Sequence, residues 1–103
     1  MDGKKTVVVT GSNKGIGYEI IRRLAKDHPN YEFVMAIRTV ANGEEAVKKL
    51  VQDNPDIEKR IRVEELDVSN SGSIDKFVSR IENIDVLVNN AGIAAKGDNF
   101  DAK

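Results

Sequence analysis

The segment Thr10-Gly11-Ser12-Asn13-Lys14-Gly15-Ile16-Gly17 places three glycines directly after the apolar run Val7-Val8-Val9 and directly before an amphipathic stretch. This is the layout of a strand, a tight turn and a helix. Glycine adopts positive φ without steric penalty and has no Cβ, so Gly11, Gly15 and Gly17 allow a sharp turn and a close approach of backbone to a pyrophosphate. The helix that follows opens with unpaired N–H groups and about half a positive charge, which hold an anion without a dedicated cationic side chain. A P-loop does not fit, because the turn lacks a closing Gly-Lys-Ser/Thr.

Beyond the turn, four short apolar runs alternate with three amphipathic ones, the pattern of a parallel sheet covered by helices. Thr6 to Thr10, nearly all β-branched, reads as a central strand buried on both faces. From Ile16 to Ala25 the apolar positions Ile16, Ile20, Ile21 and Leu24 recur at helical spacing, and Asp27-His28-Pro29-Asn30 ends the helix. Glu32 to Ile37 is the second strand. Asn42 is expected to cap a helix whose stripe is Ala46, Val47, Leu50 and Val51, ending before Pro55. Ile61 to Leu66 is the third strand, and Ser69 or Ser71 opens a helix with Ile74, Phe77, Val78 and Ile81 inward. Ile84 to Asn89 is the fourth strand, and residues 93–103 carry no clear period and are expected to form a disordered tail.

Right-handed crossovers leave few ways to connect these pieces. They predict an α/β chain with a partial Rossmann fold and a parallel sheet in the order 3-2-1-4. The first two helices then lie on one face and the third on the other, with a crevice at the 1/4 switch point.

A chain of 103 residues supports one domain with a modest core. Lys+Arg 16 balance Asp+Glu 17 at net charge -1, which favours neither nucleic acid nor an anionic membrane surface. With no cysteine and His28 the single histidine, neither a disulfide framework nor a zinc site is expected, and no metal ligand is assigned. No stretch approaches membrane-spanning length and the start does not read as a secretory signal, so a cytoplasmic location is expected. The run Glu58-Lys59-Arg60-Ile61-Arg62 is offset by Glu64 and Glu65 and reads as a solvated strand start.

The spacing Thr10-Gly11-x-x-x-Gly15-Ile16-Gly17 resembles the cofactor turn of the short-chain dehydrogenase/reductase family, not the tighter G-x-G-x-x-G of other dinucleotide folds. Asn89-Asn90-Ala91-Gly92, after the fourth strand, is similar to a second hallmark of that family. Leu66-Asp67-Val68 closes the third strand as in members whose Asp contacts the adenine ring. Ala36-Ile37-Arg38 and Asn-Asn-Ala-Gly-Ile-Ala-Ala-Lys narrow the resemblance to the carbonyl reductase branch, whose members reduce aldehydes and ketones with NADPH. It extends from about Lys5 to Gly97.

The resemblance implies a site for NADP(H) built from Gly11, Ser12, Asn13, Lys14, Gly15, Ile16, Gly17, Arg38, Asp67, Val68, Asn89, Ala91 and Gly92. Charge supports the 2′-phosphate form. An NAD-selective site ends the second strand with Asp or Glu, which bonds the ribose 2′-hydroxyl and repels a phosphate. Here the position offers Ile37-Arg38, whose guanidinium can make two parallel charge-assisted bonds to phosphate, and Lys14 offers a second cation. Asp67 either receives the adenine amino group or caps the helix near Ser69 to Ser71. Ser12 and Asn13 bond the phosphates or only the local backbone. The amides of Asn89 and Asn90 are expected to tie the central strands, while Ala91 and Gly92 make room for the ribose.

Hydride transfer in this family uses a tyrosine as general acid, a lysine four residues later, a serine and an asparagine, all beyond Asn-Asn-Ala-Gly in the family's order. Tyr18 and Tyr31 are followed at that spacing by Arg22 and Met35, so no catalytic residue is assigned. The resemblance thus implies the cofactor-binding half of a carbonyl reductase-like enzyme, truncated before its catalytic groups and inactive in hydride transfer alone. In that reading Val86, Leu87 and Val88 form an exposed apolar edge inviting self-association or a partner chain. Two other readings stay open: a non-enzymatic interaction module joined through the fourth strand with a vestigial nucleotide site, and a chain completed by a second polypeptide.

Overall fold

Valine packs well on a pleated surface, and the Val7-Val8-Val9 run lies at the centre of a parallel sheet with no exposure at any of its three positions. The computed structural model describes residues 4–81 and 83–90. In chain order these form β1 (Lys5–Thr10), α1 (Gly15–Asp27), β2 (Tyr31–Ile37), α2 (Val40–Asp53), a 3-10 helix (Pro55–Arg60), β3 (Ile61–Glu65), α3 (Ser71–Arg80) and β4 (Val86–Val88). The sheet order is β3-β2-β1-β4, all parallel, as the alternating pattern predicts. Val8 pairs with Val34 on one side and Leu87 on the other.

Alternate residues of each strand face opposite ways, which divides the core in two. Val7, Val9, Phe33, Met35 and Ile37 pack with Ile21 and Ala25 of α1, Ala46 and Leu50 of α2, and Ile57. Val8, Val34 and Ala36 pack on the other face with Leu66, Phe77 and Ile81. The second layer is the thinner one. Ile74 and Val78, expected to point inward, are 38% and 60% exposed, and Leu87 is 60% exposed. Of the α3 stripe only Phe77 and Ile81 reach buried positions, against Val8, Val34, Ala36 and Leu66.

Local hydrogen bonds move several boundaries. Thr39, not Asn42, precedes the first turn of α2; Asn42 already donates its N–H to the Thr39 carbonyl at 3.1 Å and so lies inside the helix. The cap of α3 is Asn70, between the two serines expected there, and its Oδ1 accepts from the Ser73 N–H at 3.0 Å. Asp85 lies outside β4 but prolongs its alignment with β1: its Oδ2 accepts from the Thr6 N–H at 2.8 Å and its N–H donates to the Thr6 carbonyl at 2.9 Å.

Of the run expected to be a solvated strand start, Ile61 and Arg62 do open β3 with Arg62 exposed, but residues 58–60 close the 3-10 helix, and Arg60 is the run's least solvated charge, with a side chain 11% exposed. Its guanidinium donates to the carbonyls of Tyr31 at 2.8 Å, Ala25 at 3.1 Å and His28 at 3.3 Å, and to Asp56 at 3.0 Å. A helix end leaves carbonyls without partners, and Arg60 supplies donors to those that close α1.

Candidate functional site

The carboxyl ends of all the strands converge on one edge of the sheet, where Gly11 follows β1, Arg38 follows β2, Asp67 lies past β3 and Asn89 follows β4. Open α/β sheets bind ligands along this edge, at the point where connections leave in opposite directions. Here that point is between β1 and β4, with α1 on one face and α3 on the other.

The glycines of the turn have separate reasons to be glycine. Gly11 and Gly15 adopt φ of 61° and 67°, a region that side chains disfavour. Gly11 also donates its N–H to the Ala36 carbonyl at 2.8 Å, carrying the β1–β2 ladder into the turn. At Gly17 the requirement is space: a Cβ would lie 2.7 Å from Asn90 Nδ2 and 2.9 Å from Ser12 Cα. At Gly15, by contrast, a Cβ would meet nothing within 4 Å, so the front of the turn is open.

That open front faces a helix start with no side-chain cap. Lys14 is the cap residue of α1 with an extended backbone, its side chain makes no capping bond, and the first turn contains no acidic residue. Uncapped N–H groups, an adjacent exposed Lys14 and absent carboxylates fit a bound anion. Ile16 is 66% exposed at the same corner. For Ser12 the structure has the local-backbone alternative. Its hydroxyl is fully buried and donates to the Val9 carbonyl at 2.8 Å, while in the same turn Asn13 is half-buried and Lys14 exposed.

Asn90 contributes more than the strand tie expected of it. It is 5% exposed, and its Nδ2 donates to the Gly11 carbonyl at 3.0 Å, fastening the end of β4 to the turn itself. The only sequence signal for this was the second Asn of Asn-Asn-Ala-Gly. Asn89 does take part in the strand tie, with Oδ1 3.4 Å from the Thr10 hydroxyl, which is also 3.4 Å from the Val88 carbonyl. Ala91 and Gly92 lie outside the described residues, as does the expected tail at 93–103.

Asp67 sits in a loop that its own carboxylate shapes. Its Oδ1 accepts from the Ser69 hydroxyl at 2.6 Å and the Ser69 N–H at 3.0 Å, while its N–H donates to Ser73 Oγ at 2.8 Å. The Ser69 hydroxyl, then the Ser69 N–H, and then the charge of Arg38 hold the Asp67 carboxyl below its ordinary value. Asp67 therefore closes a turn ahead of α3, while Asn70 does the capping. Arg38 is exposed, and Val68 is 46% exposed beside Asp67.

The model of the short chain dehydrogenase family matches residues 5–103. The chain belongs to the short-chain dehydrogenase/reductase family. The WW domain-containing oxidoreductase of Drosophila melanogaster is 38% identical over 95 residues, covering 88% of this chain and 23% of that protein. Menthone neomenthol reductase from Mentha piperita superposes with a TM-score of 0.78 at 27% identity, over 98% of this chain and 41% of its own. YwfH, an NADPH dependent reductase involved in bacilysin biosynthesis, superposes at 0.63 with 28% identity, over 82% of this chain and 35% of its own. This short-chain dehydrogenase/reductase chain thus spans about a quarter of the first of these proteins and about two fifths or less of the others. Members of the family are oxidoreductases that bind nicotinamide dinucleotides. Among the described residues, no helix is long and apolar enough to cross a membrane.

Proposed function

We propose that this chain holds the adenosine and phosphate half of NADP(H) for a carbonyl reductase-like member of the family. The observation that carries the choice of NADP is Arg38, exposed at the end of β2 where an NAD-selective site would hold an acid. Arg38 and Asp67 follow the neighbouring strands β2 and β3 on the same carboxyl edge of the sheet. The NADPH dependence of YwfH agrees with this reading.

In this proposal the N–H groups at Gly15 to Gly17 receive the pyrophosphate, with Asn13 and Lys14 beside it and Ile16 against the ribose side. Arg38 takes the 2′-phosphate. Asp67 stays ionised and accepts from the adenine amino group, with Val68 flanking the ring, while Asn89, Ala91 and Gly92 border the ribose. The cofactor, once bound, would supply the hydride; the chain's residues hold and orient its phosphate end. The general acid is not among these residues. Burial, and next the Asp53 charge, raise the Tyr18 pKa, the opposite of what a proton-donating tyrosine in hydride transfer requires.

Calorimetric titration with 2′,5′-ADP and with 5′-ADP tests the reading. A preference of about tenfold or more for the 2′-phosphate is expected from paired charge-assisted bonds, and Arg38→Asp should abolish it. Equal binding of the two nucleotides, or no saturable binding of either, would reject it. One observation favours the interaction reading as well: Leu87 and Val78 are each 60% exposed on the α3 side of the sheet. Sedimentation decides that point, since association through β4 should be lost in Leu87→Lys.

A further inference from the structure

We propose that Gly43, which does not approach the ligand, is a positioning residue that sets the preference for the 2′-phosphate. The inference rests on the reading of Arg38 given above. Glycine is a poor helix former, yet Gly43 lies buried in α2 with an ordinary helical backbone, so its conformation does not require glycine. Its surroundings do. A Cβ at residue 43 would fall 2.5 Å from Ile37 Cδ1 and 2.6 and 3.2 Å from the two Cγ atoms of Val63.

The two neighbours respond differently. Ile37 Cδ1 is the end of a flexible chain and can swing away, whereas the branched carbon of Val63 has its methyls held by a strand-restricted χ1. A methyl at residue 43 therefore lifts the first turn of α2 off β2 and β3. That turn is tied directly to the residue after Arg38: the N–H groups of Asn42 and Gly43 both donate to the Thr39 carbonyl, at 3.1 and 3.3 Å. Lifting the turn moves the Arg38–Thr39 backbone relative to Asp67. Two parallel bonds from a guanidinium to one phosphate tolerate little displacement. The Gly11–Gly17 turn belongs to β1 and α1, not to the α2 turn that carries Gly43, so the pyrophosphate end is expected to stay in place.

The test measures 2′,5′-ADP and 5′-ADP affinities on the whole chain, with circular dichroism as the folding control. Gly43→Ala should lose most of the wild-type preference for 2′,5′-ADP while its 5′-ADP affinity changes by about twofold or less. Gly43→Ala with Val63→Ala, which removes both Cγ atoms from the contact, should recover it. Should Gly43→Ala not fold, Val63→Ile crowds the same contact from the strand side and should lose the preference in the same way. A folded Gly43→Ala that keeps the wild-type preference, or a folded Val63→Ile that keeps it, overturns the role of Gly43 and leaves Arg38 intact. A fall of equal size for both nucleotides shows a merely structural effect and also overturns it. A wild-type chain without any preference removes the Arg38 reading and this inference together.

Discussion

Asn90 Nδ2 donates to the Gly11 carbonyl at 3.0 Å, joining two residues 79 positions apart. The same nitrogen stands 2.7 Å from where a Cβ of Gly17 would be, so the end of β4, the turn and the start of α1 interlock around one amide. Gly17→Ala should destabilise the chain by about 1–3 kcal/mol through overpacking, and Asn90→Ala by about 1–3 kcal/mol through the orphaned carbonyl. In urea denaturation the double variant should cost less than the sum, because removing the amide vacates part of the space. The remainder reflects Ser12 Cα, 2.9 Å from the new methyl.

Arg60→Ala leaves the carbonyls of Ala25, His28 and Tyr31 without their guanidinium donor. Bonds to a charged partner contribute about 1.5–3 kcal/mol each but are not additive, so a loss of about 2–4 kcal/mol is expected from chemical denaturation. Arg60→Lys should restore little of it. An ammonium is a point charge and cannot reach three divergent carbonyls and Asp56 at once.

Acid should act on the Asp67 turn in a defined direction. Its folded pKa is depressed, so its contribution to stability is full above the unfolded value of about 3.9 and is lost as the pH falls through the lower folded value. Ser69→Ala removes the largest cause of the depression, the hydroxyl bond at 2.6 Å. The carboxyl resonance of Asp67, followed by NMR from pH 2 to 6, should then titrate at higher pH than in the wild type. An unchanged midpoint would show that Ser69 does not hold the carboxylate.

Phe77 and Val78 are adjacent in α3, but Phe77 is 4% exposed and Val78 60%. Phe77→Ala should cost about 3–5 kcal/mol, as it empties the second core, while Val78→Ser should change stability by about 0.5 kcal/mol or less. Thermal or urea unfolding of the pair reads the difference directly. Comparable losses would mean that α3 packs on another face.

Much of the fold was legible in short-range pattern. The β-branched run ending at Thr10, the glycines after it and the spacing of Ile21, Leu50 and Phe77 each record a local choice of backbone or buried face. Together with the handedness of crossovers they suffice for the sheet order. Helix starts were less legible, because Thr39 and Asn42, or Ser69, Asn70 and Ser71, have similar capping chemistry within one turn. Of the site, the turn, Arg38 and Asp67 stand together on the carboxyl edge, but Asn90 and Gly43 did not announce their contacts.

The sequence by itself determined the four strands and the three α-helices, the order in which they lie, and the family to which the glycine turn and Asn-Asn-Ala-Gly belong. Only the tertiary structure decided that the Ser12 hydroxyl turns inward to Val9, that Arg60 closes α1, that Asn90 holds Gly11 and that Gly43 seats α2 on Val63. The reason is range. Periodicity and backbone conformation are set by neighbours a few residues away, whereas these contacts join elements distant in sequence and exist only after the sheet brings them together.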